Sequence, residues 1–122
     1  MEHLNKIIGK TISDIFIDQG TYYALKLEKL ETESLPQIVH EITLVIQDYS
    51  LTISNKITLP TSIENINLFL GKTIKSVIES DEEVKIITTD DNWLSIDLRQ
   101  EAFVGPEAMS LTGPNNLCVV WN

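Results

Sequence analysis

The tripeptide Gly-Lys-Thr occurs twice, at residues 9–11 and 71–73, and it forms part of a motif with which many proteins bind phosphate groups. That motif also needs a glycine five residues before the Gly-Lys pair, so that backbone amides can surround the phosphates. Leu4 and Ile66 occupy those positions, and both lysines precede isoleucine-rich segments that favour strands. We therefore interpret each glycine as the end of a short helix and predict no phosphate site.

The remaining residue types with catalytic or metal-binding chemistry are few. His3 and His40 are the only histidines, and no His-Cys or His-Glu spacing fits zinc. Cys118, the only cysteine, stands in Leu-Cys-Val-Val-Trp, where we interpret it as a small core residue. No Gly-x-Ser-x-Gly motif is present. We predict that the protein is not an enzyme and holds no metal or cofactor.

Carboxylates are clustered at two predicted turns. If residues 84–89 and 93–98 form a hairpin, then the clusters at 81–83 and 90–91 lie at opposite ends of it. A strand of six residues separates them by about 20 Å. One small-molecule pocket could not use both clusters, whereas a broad protein interface could. Solvated turns that only keep the protein soluble are the alternative interpretation.

Further acidic residues follow residues 21–27, a predicted strand that we align with 84–89. This alignment makes Glu31 and Glu33 equivalent in position to Asp90 and Asp91, and Trp93 follows the acidic turn directly. A tryptophan there could anchor an interface, or it could be a partly buried residue of the sheet. The predicted partner-binding residues are Glu31, Glu33, Asp81, Glu82, Glu83, Asp90, Asp91 and Trp93.

An internal repeat organises these elements. Five of the eight residues in the segment 5–12 recur in the segment 67–74: Asn, Gly, Lys, Thr and Ile. The alignment continues with Glu41–Ile46 on Trp93–Leu98 and with Ser-Leu-Thr at 50–52 on the same tripeptide at 110–112. We predict a single domain, 1–122, that contains two copies, 3–60 and 63–122.

The sequence of each copy predicts a short helix followed by strands. Apolar stretches at 3–8 and 63–70 predict the helices, and the glycine after each one suits a left-handed helix end. Alternating apolar residues predict half-buried strands, and a polar break at 18–20 predicts a hairpin turn. The connections are too short for parallel crossovers. The predicted fold is mainly β, with α+β as a possibility: an antiparallel β-sandwich or half-barrel of two repeated β units, each preceded by a short helix.

The charge balance narrows the range of partners. The net charge is −9, from 18 acidic and 9 basic residues. Such a surface repels nucleic-acid phosphates and anionic membranes, so we expect neither as a partner. It accelerates encounter with a basic protein. The first residues do not resemble a secretory signal, and one cysteine allows no internal disulfide, so we expect a cytoplasmic protein.

Two resemblances bear on the fold and the function. Part of the chain resembles a family of small uncharacterised bacterial β-rich domains. The segments that carry the resemblance are Gly71-Lys-Thr-Ile, Trp93-Leu-Ser-Ile, residues 107–117 and the closing Val-Val-Trp121. That family has Gly-[Lys/Arg]-Thr-Val, Glu-Ala-Trp-Glu-Leu-x-Gly-Pro-Asp-Gly and a final Val-Trp. The resemblance covers residues 71–121, with Met109 and Ser110 where the family has Trp-Glu. It concerns turn and core residues and therefore bears on the fold.

The chain as a whole also resembles bacterial toxin-immunity proteins of the contact-dependent growth inhibition type. This resemblance implies a cytoplasmic protein that binds and neutralises a cognate toxin domain, basic and of the nuclease type, through acidic loops. Two alternatives remain open at this point. One is a small-molecule-binding domain or an enzyme of unrecognised type, and the other is a structural or self-assembling module.

Overall fold

The computed structural model describes residues 3–21, 38–61, 63–99 and 108–121. Within them the chain forms two antiparallel sheets, one of five strands and one of four, with two 3-10 helices and no α-helix. The prediction of a mainly β, antiparallel, sandwich-like fold is confirmed. The 3-10 helices are η1 (Leu4–Ile7) and η2 (Ile63–Phe69), and the strands are β1 (Ile12–Thr21), β2 (Ile38–Ile46), β3 (Tyr49–Ile53), β4 (Ile57–Thr58), β5 (Ile74–Glu79), β6 (Glu83–Thr88), β7 (Trp93–Asp97), β8 (Met109–Gly113) and β9 (Leu117–Trp121).

The strand order explains how the sheets are built from hairpins. The five-stranded sheet runs β1-β2-β3-β8-β9, and the four-stranded sheet runs β4-β7-β6-β5. Alternate residues of each strand face the space between the sheets. Ile42, Leu44 and Ile46 are buried as predicted, and so are Leu94 and Ile96. The buried side chains of both sheets form one hydrophobic cluster.

The two short helices lie where the sequence predicted them, and the following glycine has the predicted left-handed conformation. Gly9 and Gly71 both have φ of +85°. Each helix is a 3-10 helix of one to two turns, consistent with the low stability of such short helical segments without tertiary packing. The glycines allow the chain to turn directly into β1 and β5, which supports the structural interpretation of both Gly-Lys-Thr tripeptides.

The two Gly-Lys-Thr-Ile segments contact each other through reciprocal hydrogen bonds. The amide of Gly9 donates to the carbonyl of Ile74 at 2.8 Å, and the amide of Gly71 donates to the carbonyl of Ile12 at 2.8 Å. An antiparallel bridge joins Thr11 to Thr73 at the centre. Two copies related by an approximate twofold axis would form reciprocal hydrogen bonds of this kind. The duplication of 3–60 as 63–122 stays a prediction that this geometry supports.

The strand register differs from the alignment made on sequence. Ile46 of β2 pairs with the first residue of β1, and Thr88 of β6 pairs with the first residue of β5. By this register β2 corresponds to β6, so the alignment of Glu41–Ile46 with Trp93–Leu98 was wrong. The two Ser-Leu-Thr tripeptides lie on β3 and β8, which pair with each other. β4 of the segment 3–60 joins the sheet of β5, β6 and β7, whereas β8 and β9 of the segment 63–122 join the sheet of β1, β2 and β3.

Two local predictions were also wrong. No turn forms at Asp18-Gln-Gly20, since β1 runs through these residues and pairs with β2. Residues 22–27 of the strand predicted there lie outside the described ranges. Cys118 is exposed rather than buried, because the odd-numbered residues of β9 face inward. Leu117 and Trp121 pack against the core from the same strand.

Two asparagines form the turn of the β8–β9 hairpin. Asn115 and Asn116 have φ of +63° and +62°, which is the conformation of a type I′ turn. Asparagine tolerates this conformation better than most residues because its short side chain can bond locally. No helix in the described ranges is long and apolar enough to cross a membrane.

Candidate functional site

The face of the four-stranded sheet that points away from the core carries apolar side chains at its centre. Ile87 of β6 pairs with Trp93 of β7, and Ile78 of β5 pairs with Lys85 of β6. Ile78 is 57% exposed, while Ile87 and Trp93 are half-buried. Neither of these half-buried residues belongs to the side chains that pack against the core. We call the set Ile78, Lys85, Ile87, Trp93 and Ser95 the outer face.

Lys85 and Trp93 interact across β6 and β7. The Lys85 ammonium lies 4.7 Å from the centre of the Trp93 ring. A cation at this distance over an indole is attracted by the negative face of the ring. The contact orients the tryptophan while leaving the outer face partly open to solvent. The structure fits the prediction of a partly buried sheet tryptophan, since Trp93 is half-buried in β7 and lies on the solvent side of the sheet.

The β5–β6 turn presents three exposed carboxylates at one end of the outer face. Ser80 organises the turn, since its hydroxyl accepts from the amides of Glu82 and Glu83 at 3.2 Å each. Glu83 accepts a hydrogen bond from the hydroxyl of Ser95. The carboxylates of Asp81 and Glu82 have no hydrogen-bond or ion-pair partner among the described residues. Their negative charge is therefore directed into solvent.

The β6–β7 turn at the other end is also acidic, but lysines offset its charge. Asp90 forms an ion pair with Lys72 at 2.6 Å, and Asp91 forms one with Lys75 at 3.0 Å. Asp90 also accepts from the hydroxyl of Thr88. The hydrogen bond from Lys72, followed by the one from Thr88, holds the pKa of Asp90 well below its usual range. This end of the hairpin is nearly neutral.

Asp97, at the end of β7 opposite Glu83, is paired as well. Arg99 donates to it through Nε at 3.0 Å and through Nη2 at 2.7 Å. These hydrogen bonds lower the pKa of the Asp97 carboxyl. The strongest uncompensated negative potential around the outer face therefore lies at residues 81–83.

The structure separates the residues predicted from the sequence into three groups. Asp81, Glu82 and Glu83 lie together at one end of the outer face, and Trp93 lies within it. Asp90 and Asp91 lie at the other end, as predicted, in ion pairs that the sequence did not indicate. Glu31 and Glu33 lie outside the described ranges. Their part in binding stays a prediction, as does that of the other residues.

Sequence reasoning missed the residues that complete the outer face, namely Ile78, Lys85 and Ile87. A signal for Lys85 and Ile87 was present, because a hairpin of 84–89 with 93–98 places every second residue of β6 beside Trp93. Ile78 required the register of β5 with β6, which contains an irregularity between Ile74 and Ser76. Its position could not be read from alternation alone.

The outer face offers an indole, two isoleucine side chains and an ammonium group, which are suited to noncovalent contacts. In the part of the chain that the structure describes, no three His, Cys, Asp or Glu side chains are grouped so that they could hold a metal ion. Comparisons with protein-family models, with curated proteins and with solved structures find no match to this chain. The geometry and electrostatics of the outer face are therefore the guide to function.

Proposed function

We propose that the protein binds a basic partner protein through the outer face and its acidic β5–β6 turn, and that it acts as an immunity protein which neutralises a bacterial toxin. The observation that carries the binding proposal is an aromatic and aliphatic centre outside the core, with unpaired carboxylates at its end. Protein interfaces combine such an apolar centre, often with tryptophan, and a polar rim. The toxin as partner is supported by the resemblance described above and by the net charge of −9.

The two parts of the site have different expected roles in binding. Burial of Trp93 against a partner contributes affinity, because a tryptophan at the centre of an interface often contributes more than about 2 kcal/mol. The carboxylates of Asp81 and Glu82 act at longer range and accelerate encounter with a basic surface. The ion pairs of Asp90 and Asp91 reduce their contribution to this attraction.

The experiment begins with the identification of a partner by capture on the immobilised protein and mass spectrometry. Binding is then measured by surface plasmon resonance between purified proteins at several salt concentrations. Trp93→Ala is expected to weaken binding at least about tenfold, mainly through faster dissociation. The double variant Asp81→Ser, Glu82→Ser is expected to slow association and to reduce its dependence on salt.

The matched control is Thr112→Ala on the outer side of the five-stranded sheet, where the side chain is exposed. It is expected to leave both rates unchanged. If Trp93→Ala binds as well as Thr112→Ala, the outer face is not the interface. Trp93→Phe tests whether loss of binding reflects lost folding, since it keeps most of the aromatic contact.

The toxin-immunity role needs a separate readout. The captured partner is expressed alone and together with the protein, and bacterial growth is followed. The proposal predicts growth arrest by the partner alone and normal growth on co-expression. A partner that is harmless by itself contradicts the immunity role, but it does not contradict binding through the outer face.

A further inference from the structure

Strand β9 is an edge strand that lacks the features with which proteins protect such edges. Among the described residues, it lies at the end of the five-stranded sheet and pairs with β8 alone. Its five residues, Leu117–Trp121, include no charged residue and no proline, and its register with β8 is regular. An edge of this kind presents unpaired backbone N–H and C=O groups to another strand.

Each of the other three edges of the two sheets has at least one feature that opposes edge-to-edge pairing. β1 has a register shift between Ile12 and Asp14, and β5 has one between Ile74 and Ser76. Lys75 is exposed at the irregularity in β5, and Asp14 is exposed at the one in β1. β4 has only two residues. Bulges, charges and short length are the known devices against edge-to-edge pairing, and β9 has none of them.

The described residues next to β9 are uncharged on the side that faces solvent. Its outward residues Cys118 and Val120 are exposed, and they pair with Thr112 and Ser110 of β8. Its inward residues are held in place, since Trp121 packs against the core and donates from Nε1 to Glu79 at 2.9 Å. The strand is therefore preorganised, and little ordering entropy is lost when another strand pairs with it.

We propose that the β9 edge pairs antiparallel with the β9 edge of a second copy of this chain, giving a symmetric dimer with one continuous sheet. Two copies that each carry a net charge of −9 repel each other, and the repulsion is weakest where uncharged surfaces meet. The described residues of β9 and its neighbours form such a surface. Antiparallel pairing of a strand with its own copy has twofold symmetry, so one edge is sufficient. If all five residues of the two β9 strands pair, Leu117 lies opposite Trp121 of the second copy. The outer face lies on the other sheet, so the dimer and the proposed function can fail independently.

Sedimentation equilibrium from about 1 to about 500 µM tests the dimer. A five-residue edge buries less surface than a standard interface of about 1,600 Å², so we expect a dissociation constant on the order of 10 µM. Val120→Lys is expected to weaken the dimer at least about tenfold, because it places two like charges close together. Val120→Thr keeps a neutral β-branched side chain and is expected to dimerise like the wild type.

Thr112→Lys is the matched control for charge, because Thr112 lies on the same side of the sheet but one strand inside the edge. It is expected to dimerise. If it prevents association as strongly as Val120→Lys, the sheets stack face to face and edge pairing is wrong. A wild-type protein that is monomeric at all these concentrations also overturns the proposal, as does association with other proteins only.

Cys118 provides a second readout because it is exposed and is the only cysteine. With full overlap, the two copies of Cys118 lie diagonally across the new strand pair, about 7–8 Å apart. This separation exceeds the usual Cα distance of a disulfide but is within reach of a short bismaleimide. We expect crosslinked dimer in the wild type and strongly reduced crosslinking in Val120→Lys. Equal crosslinking in both proteins contradicts the proposal.

Discussion

Gly9 and Gly71 have the same left-handed conformation, with φ of +85° at the same point of each copy. A Cβ added at either position meets no atom within 4 Å, so a substitution causes backbone strain without a clash. We predict that Gly9→Ala and Gly71→Ala each lower the free energy of unfolding by about 1 kcal/mol. Urea denaturation measures this. Asparagine at either position is expected to cost less, because it tolerates the left-handed conformation.

Gly113→Ala is the contrasting substitution. There an added Cβ lies 2.5 Å from Cδ2 of Tyr49, and the tyrosine packs against the core. We expect Gly113→Ala to lower the free energy of unfolding more than Gly9→Ala or Gly71→Ala does. Costs that differ between Gly9→Ala and Gly71→Ala by more than about 1 kcal/mol would contradict equivalent environments at the two glycines.

Asp90 makes the stability of the protein depend on pH. Its pKa in the folded state lies below the ordinary value of 3.8, so its ion pair stabilises the fold above that pH. The stabilisation is lost as the pH falls through the lowered pKa. We predict that Asp90→Asn is less stable than the wild type at pH 7 and that the difference shrinks as the pH falls below about 4. Thermal unfolding at several pH values measures the difference.

Lys72→Met provides the control, because Lys72 is the main cause of the lowered pKa of Asp90. In this background, Asp90→Asn is expected to have a smaller effect at pH 7, and this effect is expected to vary less with pH. If Asp90→Asn destabilises both backgrounds equally, the Lys72–Asp90 ion pair does not cause the pH dependence.

At the scale of elements, the contact between the two Gly-Lys-Thr-Ile segments centres on Thr11 and Thr73. Their hydroxyls lie 3.1 Å apart and are partly buried. Replacing one threonine by valine leaves the other hydroxyl without this partner, whereas replacing both gives an apolar pair of similar shape. We predict that each single variant loses about 0.5–1 kcal/mol and that the double variant loses less than the sum.

The measurement is a double-mutant cycle by urea denaturation. Thr43→Val with Thr52→Val is the matched comparison, since these hydroxyls form a similar pair at 3.2 Å within the five-stranded sheet. Additive losses at Thr11 and Thr73 would show that their hydrogen bond does not couple the two segments.

Much of the fold could be predicted from alternation and turn chemistry. Alternating apolar residues identified the buried faces around Ile42–Ile46 and Leu94–Ile96, because each strand has one side in the core. The glycine after each apolar stretch was expected to end a short helix, and both glycines have the left-handed conformation. These signals are local, and local signals were sufficient for hairpins.

The rest depended on pairing between distant segments. The polar residues 18–20 resemble a turn, but they lie in β1, whose pairing with β2 extends from Ile12 to Thr21. The placement of β4 in one sheet, and of β8 and β9 in the other, also has no local signal. Cys118 was likewise misassigned to the core, because a continuous apolar run does not show which of its residues face the core.

The candidate site could likewise be predicted only where local signals were sufficient. The turn positions of Asp81 and Asp90 and the place of Trp93 beside them could be predicted from one hairpin. The ion pairs of Lys72 and Lys75 could not, because the register of β5 with β6 brings these lysines to the turn. The uneven charge of the two turns is therefore a property that only the folded chain reveals.

For the molecule as a whole, charge is distributed unevenly over the described residues. Ion pairs offset Asp90, Asp91 and Asp97, while Asp81 and Glu82 are left unpaired at one end of the outer face. The β9 edge on the other sheet is uncharged. The fold thus provides two surfaces of different chemistry, one suited to a basic partner and one suited to a second copy.

The most direct test of the proposed function is amide chemical-shift mapping of the protein with the captured partner at saturation. We predict that the largest changes fall on β6, β7 and the β5–β6 turn, around Trp93 and Glu82. Changes concentrated instead on the five-stranded sheet, with β6 and β7 unaffected, would contradict binding through the outer face.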